Sequence, residues 1–217
     1  MTENAPERHI VKTEETARPR PFRGPFSEVY RWLCIVYLTL GGWKMRGDWP
    51  DLPKCVVIAA PHTSNWDGIN MLAAAGYFRI KLRWMGKKEL VEGPFGWFVK
   101  WLGCVPVDRS GAGDLVKQMR ETFEATDKMT LAVPPEGTRS KTRAWKTGFY
   151  HIAHTAGVPI LMSVLDYGTK TMRISGVLTP SGDYDADFQL IKTHYEGAAG
   201  KYGRKFTLED AHPTQDA

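Results

Sequence analysis

The chain is short of cysteine, of long apolar runs and of glycine-rich loops, and each shortage closes off a class of function. Its three cysteines, Cys34, Cys55 and Cys104, are odd in number and far apart, and the first two lie in apolar runs. That usage suits buried free thiols in a reducing compartment, not a disulfide framework. The longest apolar part, Trp32 to Tyr37 extended by Leu38 and Leu40, is well short of the roughly 20 residues that a membrane span needs. The N-terminus places Glu3, Glu7, Glu14 and Glu15 among its bases and has no apolar stretch of the secretory type. There is no GxSxG elbow for a serine nucleophile, and Gly111-Ala112-Gly113 is too short a glycine signal for a nucleotide. No aromatic RNA-binding motif, cysteine-histidine finger or long Lys/Arg block points to nucleic acid. Internal repeats and low-complexity tracts are also missing.

What is present fits one ordinary globular domain. With 217 residues, 42% of them hydrophobic, the chain is long enough to close a core. A net charge of +5 is compatible with an anionic membrane surface or an anionic substrate, and by itself does not choose between them. Residues 1–21 are polar, interrupted by Pro6, Pro19 and Pro21, and read as a disordered tail; residues 206–217 read the same way.

Residues 22–46 are expected to form an amphipathic segment. Tyr30, Trp32, Tyr37 and Trp43 are interspersed with apolar residues, and Arg20, Arg23, Arg31, Lys44 and Arg46 surround them. That mixture suits a helix lying in the headgroup layer; the competing reading is a core helix with its aromatics turned inward.

Beyond it, apolar strand-like runs alternate with helical patterns. Strands are expected at Val56–Ala60, Lys81–Met85, Val105–Asp108, Thr130–Val133, Ile160–Leu165 and Met172–Leu178. Helices are expected at Asp67–Tyr77, Asp114–Thr126, Gly148–Ala156 and about Asp185–Tyr202. In the second of these, Val116, Met119 and Phe123 share one face. Such alternation predicts an α/β layer structure with a mostly parallel or mixed sheet flanked by helices. The stretch Gly93-Pro94-Phe95-Gly96-Trp97-Phe98-Val99 could line an apolar groove, dip into a bilayer or pack as core.

Two motifs carry the chemistry, and both follow apolar runs, at strand ends where α/β proteins gather ligands. Pro61-His62-Thr63-Ser64-Asn65-Trp66-Asp67 offers an imidazole able to take a proton from an alcohol, and a carboxylate able to hold its tautomer. That is the orienting half of a catalytic triad without its serine, so the attacking hydroxyl would belong to the substrate. The bland reading is a polar strand end whose Asp67 only starts a helix. Pro135-Glu136-Gly137-Thr138-Arg139-Ser140 adds a flexible glycine, two hydroxyls and a guanidinium suited to phosphate; Glu136 would pin Arg139 or contact the acceptor. His151 and His154 are spaced for one helix face, but nothing supplies a third zinc ligand. Cys104 reads as a buried structural thiol more readily than as an acyl carrier.

Order and spacing of these blocks resemble the glycerolipid acyltransferases, whose familiar members include bacterial lysophosphatidic acid acyltransferases. His62 and Asp67 match the HxxxxD block and Val105-Pro106-Val107-Asp108-Arg109 the second block. Val133 to Ser140 match the third and Val158-Pro159-Ile160 the fourth, where Met162 replaces a usual proline. Lys87-Lys88-Glu89-Leu90 also resembles the stretch between the first two. The resemblance implies an acyltransferase domain over 47–205, with His62 as base and Asp67 its partner. Arg109, Glu136, Gly137, Thr138 and Arg139 would form the acceptor site. It implies transfer of a fatty acyl group from acyl-CoA or acyl carrier protein to a lysophospholipid hydroxyl, most simply 1-acyl-glycerol-3-phosphate. No cofactor and no metal are expected, and the place of action would be the cytoplasmic face of a membrane, as a peripheral protein. Met162 and Pro61 depart from the family pattern and leave room for another acceptor, such as a lyso-aminolipid. A catalytically silent lipid-binding protein, or a hydrolase passing the acyl group to water, are the rival readings.

Overall fold

A computed structural model describes residues 22–107, 112–141, 144–203, 206 and 208. Seven strands form one sheet: β1 (Lys44–Arg46), β2 (Lys54–Ala60), β3 (Leu82–Lys87), β4 (Cys104–Val107), β5 (Met129–Val133), β6 (Ile160–Asp166) and β7 (Thr171–Leu178). Their order across the sheet is β1-β7-β6-β2-β5-β3-β4. The five strands from β6 to β4 run parallel, β7 lies antiparallel to β6, and β1 runs parallel to β7. The sheet is therefore mixed and mostly parallel.

Helices cover both faces: α1 (Ser27–Leu40), α2 (Asn65–Tyr77), α3 (Glu89–Glu92), α4 (Gly96–Trp101), α5 (Ala112–Glu124), α6 (Gly148–Thr155) and α7 (Tyr184–Thr193). Alternation along the strands sorts the core. Val56, Ile58, Leu131, Val133, Ile160 and Met162 point to a large cluster closed by Met119 and Phe123 of α5, Phe149 and Ile152 of α6, and Phe188 and Ile191 of α7. Cys55, Val57, Ala132 and Leu161 point the other way, onto Ala75 of α2. Each fully buried aliphatic or aromatic side chain contributes about 1.5–3 kcal/mol, so the larger cluster dominates the fold's stability.

The six expected strands are all present. β1 is the addition; three residues with alternating exposure are too short for periodicity to reveal. Four expected helices are present, although α7 ends at Thr193 and not near Tyr202. Two further short helices, α3 and α4, are separated by Gly93-Pro94, which breaks any longer helical pattern.

The amphipathic segment divides its aromatics between the two expected roles. Tyr30, Tyr37 and Trp43 pack inward with Cys34, Leu38, Ala73 and Met172. Trp32 instead stands 62% exposed, alongside Phe26, Val29, Leu33, Val36 and Leu40 on the outer side of α1. No helix among the described residues is long and apolar enough to cross a membrane. Residues 1–21 lie outside the described residues. At the other end Phe206 and Leu208 are described, and both pack half-buried against the main core.

Candidate active site

The site begins with topology. β2 and β5 are adjacent and parallel, with Ile58 opposite Val133. The chain leaves β2 into α2 on one face of the sheet and leaves β5 toward α6 on the other. Neighbouring strands whose connections depart to opposite faces open a crevice at their carboxyl ends. His62 lies two residues beyond β2 and Glu136 three beyond β5, so both motifs meet in that crevice.

Local rules then place the side chains. Ser64 is extended and caps α2, and Asp67 in the helix's first turn reaches back to accept from the Ser64 amide at 2.6 Å. The same carboxylate accepts from the Thr63 amide at 2.5 Å, from the Ser64 hydroxyl at 2.6 Å and from the Tyr167 hydroxyl at 2.6 Å. Four donors therefore hold a side chain that is only 3% exposed. Its Oδ2 stands 3.8 Å from Nδ1 of His62, beyond hydrogen-bonding length by nearly 1 Å. Acid–base pairs in ligand-free proteins are often held at such lengths. His62 keeps 22% of its side chain accessible, so the ring can meet a ligand while its partner cannot.

Burial pushes the His62 imidazole below its usual pKa; the Asp67 carboxylate opposes that shift and Arg139 adds to it. The ring is thus neutral near pH 7, the form that accepts a proton. Glu136 is pushed the other way by burial, up to about 7, against the favourable bond from the His62 amide.

The second motif forms a turn beside the ring. Gly137 has φ of +63°, the left-handed region that glycine enters without strain, and its amide donates to the Pro134 carbonyl at 3.1 Å. A side chain there would also run into Lys146, whose Cδ would stand 2.8 Å from an added Cβ. Thr138, Arg139 and Ser140 are exposed along the turn, and the Arg139 guanidinium donates to the Asn65 side chain at the start of α2. The guanidinium therefore bridges the two motifs.

Of its two expected roles, Glu136 does not take that of pinning Arg139. It is 1% exposed, it does not pair with Arg139, and its Oε1 accepts from the backbone amide of His62 at 2.8 Å. Its Oε2 is buried without a hydrogen-bond partner. Arg109 lies outside the described residues. His62, Asp67, Gly137, Thr138 and Arg139 all line one cleft of about 1780 Å³, with Lys87, Lys146 and Arg173 as further basic groups. Its walls are otherwise mainly apolar, with Met71, Leu72, Trp84, Met85, Leu115 and Val116 among them. Groups of three or more His, Cys, Asp or Glu side chains able to hold a metal do not occur among the described residues.

Two participants escaped the sequence reading. Tyr167, just past β6, donates to Asp67 and accepts from Asn70 at 2.9 Å, and Asn70 in turn accepts from Tyr37 of α1 at 2.8 Å. Lys146 lies against the Gly137 turn because its amide donates to the Pro135 carbonyl at 2.7 Å. A lysine two residues before a glycine that opens a helix is a weak signal, and a tyrosine after a buried strand is none.

Residues 50–165 match the family model described as Acyltransferase. The chain belongs to the acyltransferase family. Among curated family members it is 29% identical over 143 residues to the 1-acyl-sn-glycerol-3-phosphate acyltransferase of Haemophilus influenzae, covering 61% of this chain and 58% of that one. To the enzyme of that name from Escherichia coli it is 32% identical over 111 residues, 48% of this chain and 44% of that one. The chain thus spans about half the length of the curated relatives it matches. Among solved structures, the 1-acyl-sn-glycerophosphate acyltransferase of Thermotoga maritima superposes with a TM-score of 0.54 at 20% identity, over 83% of this chain and 80% of that one. That last likeness speaks for the fold alone.

Proposed function

We propose that this acyltransferase-family chain moves a fatty acyl group from an acyl thioester, acyl-CoA or acyl carrier protein, to the hydroxyl of a lysophospholipid, most simply 1-acyl-glycerol-3-phosphate. The observation that carries the proposal is a neutral, accessible imidazole placed between a fully hydrogen-bonded carboxylate and a guanidinium-bearing turn, within one largely apolar cleft.

In this reading Arg139, aided by Lys146 and the Gly137 turn, receives the acceptor's phosphate. Bidentate guanidinium–phosphate contacts fix its orientation. The acceptor hydroxyl then lies against the open nitrogen of His62. As its oxygen attacks the thioester carbonyl, the hydroxyl proton passes to His62, and Asp67 closes on Nδ1–H to stabilise the imidazolium. Collapse of the tetrahedral intermediate breaks the C–S bond, and the proton returns from His62 to the leaving thiolate. The sum is an ester and a free thiol, with no group added to the enzyme and no cofactor required. Glu136, out of the cleft and bonded to the His62 backbone, holds the base in place and does not meet the acceptor.

The relatives' names support 1-acyl-glycerol-3-phosphate as the first acceptor to try, and the Met162 departure makes a head-group screen worthwhile. The exposed apolar face of α1 supports action at a membrane surface as a peripheral protein, and we propose that this surface is the cytoplasmic face. The test is product formation from labelled acyl-CoA. His62→Ala is expected to abolish turnover while leaving thermal unfolding unchanged. Turnover near wild type in that variant defeats the mechanism, and release of free fatty acid without an acceptor favours hydrolysis instead.

A further inference from the structure

The aromatics of the stretch from Gly93 to Val99 neither pack as core nor line the cleft, although Gly96 between them is buried. Phe95 and Trp97 are each 72% exposed and Phe98 is 43% exposed, and none of the three is part of the cleft wall. Large aromatics placed this way forgo burial unless something covers them.

Their neighbours say where they belong. Trp97 packs on Phe98, Phe98 stacks on Trp101 at 5.9 Å, and Trp101 meets Tyr30 of α1 edge-on at 5.4 Å. Arg23 ties the same corner together by donating to the Trp101 and Leu102 carbonyls, with its guanidinium 5.7 Å from the Trp101 ring centre. α4 is therefore fastened beside the start of α1, and its exposed aromatics extend the apolar strip of Phe26, Val29, Trp32, Leu33, Val36 and Leu40. Leu90 of α3 and Ile69 of α2 are exposed and also form part of the cleft wall. The apolar surface thus reaches the cleft itself.

Charge chooses the occupant. Residues 22–46 carry four bases against Glu28, and residues 81–101 carry five bases against Glu89 and Glu92, a net +3 in each. The whole chain is +5, so the remainder is slightly negative. Within α3–α4 itself Lys100 stands against Glu89 and Glu92. The positive charge lies in Lys88 just before α3 and at the corner that fastens α4 to α1, where Arg23, Lys81 and Arg83 stand close together. Burial is the main cause that lowers the pKa of Arg23 and Lys81 there, and the charge of Arg83 adds to it in both. Tryptophan and phenylalanine set among lysine and arginine match a headgroup layer bearing negative charge; a protein partner would not require that sorting.

We propose that α3–α4 is a second membrane footing beside α1, seating Phe95, Trp97 and Phe98 in an anionic bilayer so that the cleft mouth at Leu90 and Ile69 opens onto the lipid. The proposal rests on the acyl-transfer reading for its purpose but not for its test. Flotation of the full chain with vesicles of equimolar phosphatidylcholine and phosphatidylglycerol reads the binding. The double variant Phe95→Ser/Trp97→Ser, on exposed positions, is expected to weaken vesicle affinity by about tenfold or more with near-ultraviolet circular dichroism unchanged. Trp32→Ser/Leu33→Ser on α1 is expected to weaken it as well. Wild-type vesicle binding in the α4 variant, with loss confined to the α1 variant, overturns the proposal. So does a wild-type chain that ignores vesicles, or one that is a dimer without lipid and becomes monomeric on the α4 substitution. Acyl transfer to a short-chain acceptor held below its micelle concentration separates the two claims. It should survive in the α4 variant, and its absence from the wild-type chain would defeat the activity while leaving the footing standing.

Discussion

The backbone amide of His62 donates to Oε1 of Glu136 across 2.8 Å, so the loop bearing the imidazole is fastened to the turn bearing Arg139. A carboxylate in the acceptor pocket would act on binding; one under His62 would act on the chemical step if the imidazole is the base as proposed. Glu136→Gln keeps an oxygen that can accept from the amide and is expected to retain most of kcat. Glu136→Ala leaves that amide unpaired in a buried place, at a cost of about 1–3 kcal/mol. If that loss falls on the positioned base, kcat drops roughly ten- to hundredfold with little change in the acceptor KM. Steady-state kinetics of both variants decide the matter, and a rise in acceptor KM with kcat preserved would return Glu136 to the acceptor site.

The same carboxyl group makes stability depend on pH. Its folded pKa is raised to about 7 from an ordinary value of 4.5. The folded state therefore holds the proton more tightly than the unfolded chain does. Stability is full below the unfolded value and is lost as pH rises through the window to about 7, by a total of up to about 3 kcal/mol. Glu136→Gln removes this group from the titration. Its unfolding midpoint in urea should hold level between pH 5 and pH 8 relative to wild type, which should fall. Parallel curves would show that Glu136 titrates alike in the folded and unfolded chain, its carboxyl not held protonated by burial.

Tyr167 closes a hydrogen-bonded series running from Tyr37 of α1 through Asn70 of α2 to Asp67. A hydrogen bond to a charged group contributes about 1.5–3 kcal/mol, so if Asp67 steers His62 as proposed, loss of the Tyr167 bond lowers the rate by about tenfold or more. Tyr167→Phe keeps the ring packed edge-on to Trp43 at 4.9 Å and deletes only the hydroxyl. The expected result is a kcat lower by about tenfold with an unchanged acceptor KM, and an unfolding temperature lowered because the buried Asn70 amide loses its acceptor. A variant that loses stability without losing kcat would make Tyr167 a structural residue only.

How much of this was legible in the sequence follows from range. Val56, Ile58 and Ala60 alternate with residues of the opposite face, and runs such as Met129–Val133 are buried throughout, so the parallel core could be read locally. His62 and Asp67 were readable as a pair because a capped helix start brings residues five apart face to face. Glu136 was visible as a residue but not in its role, because that role depends on the β2–β5 register, which no local pattern reports. Tyr167 is 100 residues from Asp67 and belongs to no motif. The outward turn of Phe95 and Trp97 was equally hidden, since an apolar run looks the same whether it faces a core or a bilayer.

The pH dependence of turnover separates the roles of the imidazole and its neighbour. Burial is the main cause that lowers the His62 pKa, and Asp67 raises it in opposition. A base works in its neutral form, so kcat/KM for the acceptor, which reports the free enzyme, should persist below pH 6.5, the ordinary imidazole value, before it falls on the acid side. Asp67→Asn removes the opposing charge while keeping the shape. The His62 pKa then falls further, and the acid limb should move to lower pH even as kcat drops by roughly a hundredfold or more, because the imidazolium formed during attack has lost its partner. Wild type and variant are compared with one acceptor, so any titration of the acceptor's own phosphate cancels. An acid limb that stays put, or moves toward neutrality, would mean that the titrating group is not the imidazole next to Asp67, and the base would have to be sought elsewhere in the cleft.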